Sequence, residues 1–434
     1  MPSGDRTDPR PSDVLRVALY AGVVFEHDAV STSFLHKLRI LTGLRDAGCP
    51  VEVVGFTHAT DFDHPDIRLT TGLVDLMRSP AFAAADVHVF EYTMWYELLN
   101  ALFLLERPTL VIDHNTTPVE LVTDPEVQRA CARARHERHN LVLATHVATD
   151  GEFTADELRA MGFPADRVST LHLPAATAHT AHPDAGDRRR RGDPVRLLYV
   201  GRFVRAKGML DLLSAMEQVW ASGTTDVTLT VTGSIRFPDT EVLAVLEDAC
   251  TTHQDDGRLT MHVDPTDDEL AALYASADAL VMPSHHEGFC VPVIEALSSG
   301  CYVIGADAGN IPYVMGGLGT LYPCGDVPAL AGAITRYAEE VTSAERERRA
   351  PVVATTAGPL GPAVWRQRVQ LHLAEYSADA YRAGFLDLLA LVLAQAAPDG
   401  APTWLVDAAR SAAAAPTAGG GGAPDRSEGP VPVR

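Results

Sequence analysis

The sequence is short of cysteine, of positive charge and of long apolar runs. Its six cysteines (Cys49, Cys131, Cys250, Cys290, Cys301 and Cys324) show no C-x-x-C spacing. That excludes a disulfide framework or a cysteine zinc site and predicts reduced thiols in a cytoplasmic protein. Lys and Arg number 35 against 57 Asp and Glu, a net charge of -22. So acidic a chain is unsuited to nucleic acid, whose phosphates reward Lys and Arg, or to anionic lipid. The most apolar segment, residues 385–397, is interrupted by Asp387. It falls short of the ~20 residues a membrane span requires and reads as a buried helix. The polar, proline-containing N-terminus lacks the features of a signal peptide. G-x-S-x-G, Walker A and G-x-G-x-x-G patterns are also missing, which disfavours a serine hydrolase, a P-loop NTPase or a nicotinamide enzyme.

What is present is a soluble globular composition, 46% hydrophobic and 21% charged over 434 residues, enough for two or three domains. After a lead expected to be disordered (1–13), apolar runs at 14–25, 51–56, 87–90, 109–113 and 141–145 read as strands. Helical patterns at 34–47, 96–105, 124–139 and 154–161 separate them. Strand–helix alternation implies a parallel sheet covered on both faces. Residues 177–194, polar and containing the basic run 188–191, read as a linker. The alternation restarts with strands at 195–201, 227–232, 259–262, 279–282 and 302–305 and helices at 207–221, 240–252, 267–277 and 291–299. The division is therefore 14–176, 195–364, a helical segment at 365–397 and a disordered tail at 398–434, rich in Ala, Gly and Pro.

Two stretches of the second domain carry chemistry. The first reads Gly201-Arg202-Phe203-Val204-Arg205-Ala206-Lys207-Gly208. It puts Arg202 at the carboxyl end of a strand, where ligands bind in open α/β sheets, and Lys207 in the following turn. Two convergent cations suit an anion such as a departing diphosphate. The second reads Val281-Met282-Pro283-Ser284-His285-His286-Glu287-Gly288-Phe289-Cys290-Val291-Pro292-Val293-Ile294-Glu295. Pro292 fits the first turn of a helix, so 288–291 forms a loop at an anion-friendly helix N-terminus. Gly288 permits close backbone approach. Glu295, set among Val293, Ile294, Ala296 and Leu297, can accept bonds from two vicinal hydroxyls. Read singly, each glutamate or cation is an ordinary solvated side chain. In the first domain His114 follows an apolar strand within a polar cluster. Glu26, Asp28 and Glu91 follow strands that face the same cleft. Three metal-like patterns are set aside. Asp61-Phe62-Asp63 lies in a His/Asp-rich loop, His136-Glu137-Arg138-His139 is too short for H-E-x-x-H, and side chains of adjacent His285 and His286 diverge.

These residues resemble family 4 retaining glycosyltransferases across most of the chain. The resemblance rests on LLYVGRFVRAKG, DELAALYASADALVMPSHHEGFCVPVIEAL and AGNIPYV. In the first domain it rests on DHNTTPVEL, similar to the HNITP-type segment of a bacterial branch, and on FEHDAVS. It implies a GT-B fold: two Rossmann-like, doubly wound α/β domains across a cleft, with the first on the acceptor side and the second binding nucleotide sugar. It implies retention of anomeric configuration, no cofactor and no obligatory metal. Arg202 and Lys207 match the diphosphate ligands, Glu287 the glutamate near the donor sugar, and Glu295 the ribose ligand. His114 matches a histidine near that sugar, and Gly288, Phe289 and Val291 line the donor side. Where many members carry Gly-Gly after the first strand, this chain reads Val23-Val24-Phe25-Glu26-His27-Asp28 with Gly22 before it.

The expected activity is transfer of a sugar from a nucleoside-diphosphate sugar to a hydroxyl of a glycan or small polar acceptor, in natural-product or polysaccharide biosynthesis. A nucleotide-sugar epimerase or hydrolase, or a non-catalytic nucleotide-sugar-binding protein, stays open as an alternative. Carboxylates at Glu26, Asp28, Glu91 and Asp113 suit a soluble polar acceptor, such as an amine-bearing cyclitol or sugar; solvated acids, or acids bonded to neutral sugar hydroxyls, stay open as the alternative.

Overall fold

A computed structural model describes residues 14–25, 29–174, 191–235, 238–396 and 400–414. Glu26, Asp28, the lead 1–13 and most of the predicted linker lie outside the described residues. The first domain contains β1 (Leu15–Tyr20), β2 (Val51–Thr57), β3 (Ile67–Leu69), β4 (Val87–Tyr92), β5 (Thr109–Asp113), β6 (His146–Thr149) and β7 (Val168–Thr170). They form one seven-stranded sheet in the order β3-β2-β1-β4-β5-β6-β7, parallel at every pairing. The second domain contains β8 (Val195–Val200), β9 (Val227–Gly233), β10 (Leu259–Val263), β11 (Ala279–Met282), β12 (Tyr302–Asp307) and β13 (Thr320–Pro323). Its order is β10-β9-β8-β11-β12-β13, again wholly parallel.

Helices on both faces explain why strands such as β4 and β11 are buried at every position instead of alternating. Strand order reverses between β1 and β4 and between β8 and β11. Doubly wound sheets bind ligands at such points, outside the carboxyl ends of their strands. The loops after β8 and β11 hold Arg202, Lys207 and Glu287, so both motifs of the second domain sit at its switch point.

Three expectations need correction. The strand predicted at 141–145 is a 3-10 turn, Arg138–Leu143, with Val142 and Leu143 exposed. The strand is β6, which begins after Thr145 and Thr109 exchange bonds through their hydroxyls. Its buried His146, bonded to Ser169, hides it from an apolar-run reading. The helical pattern at 365–396 is two helices, Pro362–Leu373 and Ala378–Ala396. Ser377 starts the second by accepting from the Ala380 amide. The first lies on the second domain, where Trp365 donates to the Leu318 carbonyl. The second reaches the first domain, where Tyr381 meets Ser33. Finally, part of the tail expected to be disordered is a helix, Thr403–Ala414. Leu405 and Ala409, four apart and on one face, join the main core.

Leu405 is fully buried and Leu371 is 69% exposed. Leu405→Ala is expected to cost about 2–5 kcal/mol in urea unfolding, and Leu371→Ala to stay within about 0.5 kcal/mol. Equal, negligible effects would return the tail to the disordered class.

Candidate active site

The site is built from chain turns at the carboxyl ends of both sheets. After β8, residues Arg205–Lys207 form a 3-10 turn that ends at Gly208, φ +68°. A side chain at Gly208 would lie 2.0 Å from the Pro283 carbonyl oxygen. Only glycine lets this turn press on the loop after β11, where the His285 amide donates to the Ala206 carbonyl. The Lys207 ammonium is thereby set 2.7 Å from each carboxylate oxygen of Glu287. Both are mostly buried. Arg202 is exposed, and no ion pair to it occurs among the described residues.

Beyond Glu287 the backbone turns sharply. Cys290 adopts φ +78° and leads into the helix Val291–Ser298, with Pro292 in its first turn. Phe289 is buried, and Val291 opens the helix, so its end faces the same loop. Glu295 lies inside the helix, 8% exposed, and accepts a 2.8 Å bond from the Tyr274 hydroxyl. Asn310, fully buried, organises the loop. Its amide N–H donates to the Glu287 carbonyl and its Nδ2 to the Phe289 carbonyl. Its Oδ1 accepts from the Phe153 amide of the first domain.

In the first domain His114 is caged by carboxylates. Its Nδ1 lies 2.5 Å from Asp150 Oδ2 and its Nε2 lies 2.7 Å from Glu91 Oε2. Burial opposes charge on this ring, but Asp150, followed by Glu91, overcomes it and pushes the pKa up to about 10. The Lys37 ammonium donates to Glu91 Oε1 at 2.8 Å and to the Ser33 hydroxyl at 2.5 Å. Tyr381 closes this end, with Lys37 lying 5.7 Å from the centre of its ring. The result is a buried chain of alternating charge: Lys37, Glu91, His114, Asp150.

This chain corrects the reading of the first-domain acids. Glu91 is not a free acceptor-side carboxylate. It is buried, and although burial works against its charge, Lys37 and His114 hold its pKa below the ordinary value. Asp113 is likewise spent, 2.6 Å from Arg138 Nε. Glu26 and Asp28 cannot be placed, lying outside the described residues.

The domains meet across the site. An added side chain at Gly288 would fall 2.6 Å from the His114 carbonyl oxygen. His286 Nε2 lies 3.2 Å from Asn115 Oδ1, and the Tyr313 hydroxyl donates to Asp156. Glu287, Gly288, Lys207 and His114 are thus brought together. Glu295 stands one helical turn deeper, and Arg202 stands on the rim. Sequence reasoning missed Lys37, Asp150 and Asn310. A lysine on the apolar face of helix Ala29–Asp46, between Phe34, Leu38 and Leu41, was the available signal for the first.

Two parallel sheets meeting at their carboxyl ends are shared with solved glycosyltransferases. The fold is GT-B. Sucrose-phosphate synthase from Thermosynechococcus elongatus superposes with TM-score 0.63 at 22% identity, covering 88% of this chain and 99% of that one. HepE of Anabaena, solved with UDP-glucose, gives 0.59 at 15% identity, covering 86% and 99%. Residues 194–340 match the family described as glycosyl transferases group 1. Glycogen synthase of Mycobacterium tuberculosis is 33% identical over 169 residues, 38% of this chain and 38% of its own length. The 2-deoxystreptamine N-acetyl-D-glucosaminyltransferase of Streptomyces fradiae is 30% identical over 233 residues, 51% of this chain and 53% of its own. The chain thus spans between about a third and about half the length of these two curated relatives.

The His114 cage makes a pH prediction. The folded pKa, about 10, exceeds the ordinary 6.5, so between these values the folded state holds a proton the unfolded chain has lost. The stabilisation is complete below about 6.5 and is lost as pH rises toward about 10. Lys37 stays charged throughout, its pKa standing above the ordinary 10.5. Urea unfolding of wild type and His114→Gln is expected to show a gap that narrows steadily over this window. A gap independent of pH would overturn the charge assignment.

Proposed function

We propose that this protein is a retaining glycosyltransferase of family 4, in the branch with an HNITP-like segment. It moves a sugar from a nucleoside-diphosphate sugar to a hydroxyl of a glycan or small polar acceptor, in natural-product or polysaccharide biosynthesis. The observation that carries this reading is the direct contact of Lys207 with Glu287 at the switch point of the second sheet, beside a helix N-terminus and a buried Glu295. The group 1 match over this domain supports it, as do the UDP-glucose of the HepE structure and the names of the two curated relatives, a glycogen synthase and an N-acetyl-D-glucosaminyltransferase.

In this reading Arg202 and the amide end of helix Val291–Ser298 hold the diphosphate, and Lys207 bridges it to Glu287. As the anomeric C–O bond breaks, negative charge gathers on the departing phosphate oxygen, where fixed cations and amide dipoles lower the barrier. The acceptor oxygen bonds to the anomeric carbon on the same face, and its proton passes to that phosphate oxygen. Configuration is retained. Glu295 binds the ribose and Glu287 a hydroxyl of the transferred sugar. His114 cannot donate from its ring to the sugar while both nitrogens serve carboxylates, so it acts as a fixed positive charge beside Gly288. The chain's own cations serve the leaving group, so neither metal nor cofactor is invoked. Six unpaired cysteines are in keeping with a cytoplasmic setting. Among the described residues no helix is long and apolar enough to cross a membrane.

A screen of nucleotide sugars against small polyol acceptors, read by product chromatography, tests the reading. Arg202→Ala and Lys207→Ala are each expected to lower turnover on the order of 10²–10³-fold. Arg202→Ala is the cleaner variant, because Lys207→Ala also strands Glu287. Turnover at the wild-type level in both would refute the diphosphate assignment. Glu295→Gln is expected to raise the donor KM, a contact present in ground and transition states alike, and Glu287→Gln to lower kcat. The reverse pattern would exchange the two roles. Chelator is expected to leave turnover intact, and a loss restored by Mg²⁺ or Mn²⁺ would remove the metal-free mechanism.

A further inference from the structure

Asp150 belongs to no motif, yet it holds a special place. It follows β6 directly, at the carboxyl edge of the first sheet. One carboxylate oxygen, Oδ2, serves His114. The other, Oδ1, is buried and has no hydrogen-bond partner. The residue itself is 3% exposed. A buried acceptor oxygen left unpaired costs about 1–3 kcal/mol, more on a charged group, so it marks a position awaiting a donor. Both flanks of Asp150 touch the donor loop. His114, its ring partner, has its carbonyl against Gly288, and Phe153, three residues on, bonds Asn310, which holds the Glu287 and Phe289 carbonyls.

Resting on the transferase reading above, we propose that Asp150 Oδ1 receives an ammonium group of the acceptor, and that the acceptor is an amine-bearing polyol. Transfer itself takes place at one of its hydroxyls, and the amine is the handle that orients it. Three observations favour an ammonium over a neutral hydroxyl. Charge-assisted bonds to a carboxylate are roughly twice as strong as neutral ones. The strand-end acids Glu91 and Asp113 already hold the full cations Lys37 and Arg138, whereas Asp150 meets only the His114 ring, through Oδ2, and keeps Oδ1 unpaired. The chain's charge of -22 draws cationic ligands toward it. The Streptomyces fradiae relative is named for an acceptor of this chemical class, an aminocyclitol.

The experiment uses the full chain and isothermal calorimetry. UDP and GDP are titrated first. Then 2-deoxystreptamine, a diaminocyclitol, and myo-inositol, its amine-free counterpart, are titrated at saturating nucleotide. Wild type is expected to bind the diaminocyclitol at least about 10-fold more tightly than myo-inositol, and this preference is expected to weaken with salt. Asp150→Asn is expected to lose about 10-fold or more for the amine, with nucleotide and myo-inositol binding unchanged. His114→Gln, which disturbs the cage but leaves the carboxylate, is expected to keep the amine preference. Equal binding of the two cyclitols by wild type, or full amine preference in Asp150→Asn, would overturn the proposal while leaving the transferase reading standing. Loss of the preference in His114→Gln to the same degree as in Asp150→Asn would make Asp150 a support for His114 and also overturn it. Failure of wild type to bind these or any other nucleoside diphosphate would defeat the transferase reading itself.

Discussion

Parallel strands deliver all their carboxyl-terminal loops to one edge, and this chain sets two such edges face to face. Everything at the site follows from that constraint. The second sheet contributes backbone turns and a helix end. The first contributes a buried chain of side-chain charges. The two edges approach so closely that Gly288 meets the His114 carbonyl with no room for a side chain. Asn310 bonds to both domains at once. Geometry at residues 287–290 is therefore a property of the domain interface and not of either domain alone.

The electrostatics divide along the same line. In the second domain, Lys207 and Glu287 stand as a partly solvated pair, and Arg202 stays exposed at the rim. Such charges can exchange partners when a ligand arrives. In the first domain, Lys37, Glu91, His114 and Asp150 are desolvated and mutually satisfied except at Asp150 Oδ1. Breaking one link there strands a buried charge. The first domain thus offers a fixed field and the second a responsive one.

The sequence disclosed most of the fold, because strands buried on both faces leave apolar runs that need no partner to be seen. Thr109–Asp113, Thr240–Thr252 and Ala279–Met282 fall on their predicted bounds. The turn at 287–290 and the helix start after it are legible for a related reason: glycine, proline and glutamate in fixed order mark backbone turns, and turns are local. Side-chain pairing is not local. Glu91 and Asp113 read as cleft acids because their partners, Lys37 and Arg138, come from 54 and 25 residues away. Asp150 escapes notice because β6, which opens on a buried histidine, begins five residues beyond the start of the apolar run 141–145. Its position at a strand's end then went unseen.

The helix Ala378–Ala396 gives the chain a temporal order. Tyr381 meets Ser33 across 348 residues and, with Phe385, covers the Lys37 ammonium. A ribosome releasing this polypeptide exposes the first sheet long before its lid exists, and the second domain must be made in between. Long loops close late in folding, so the first domain waits for the C-terminal helix before its buried charges are sealed from water. The two halves of the cleft therefore mature together, and a nascent chain stopped short of residue 381 holds a first domain with its lysine uncovered.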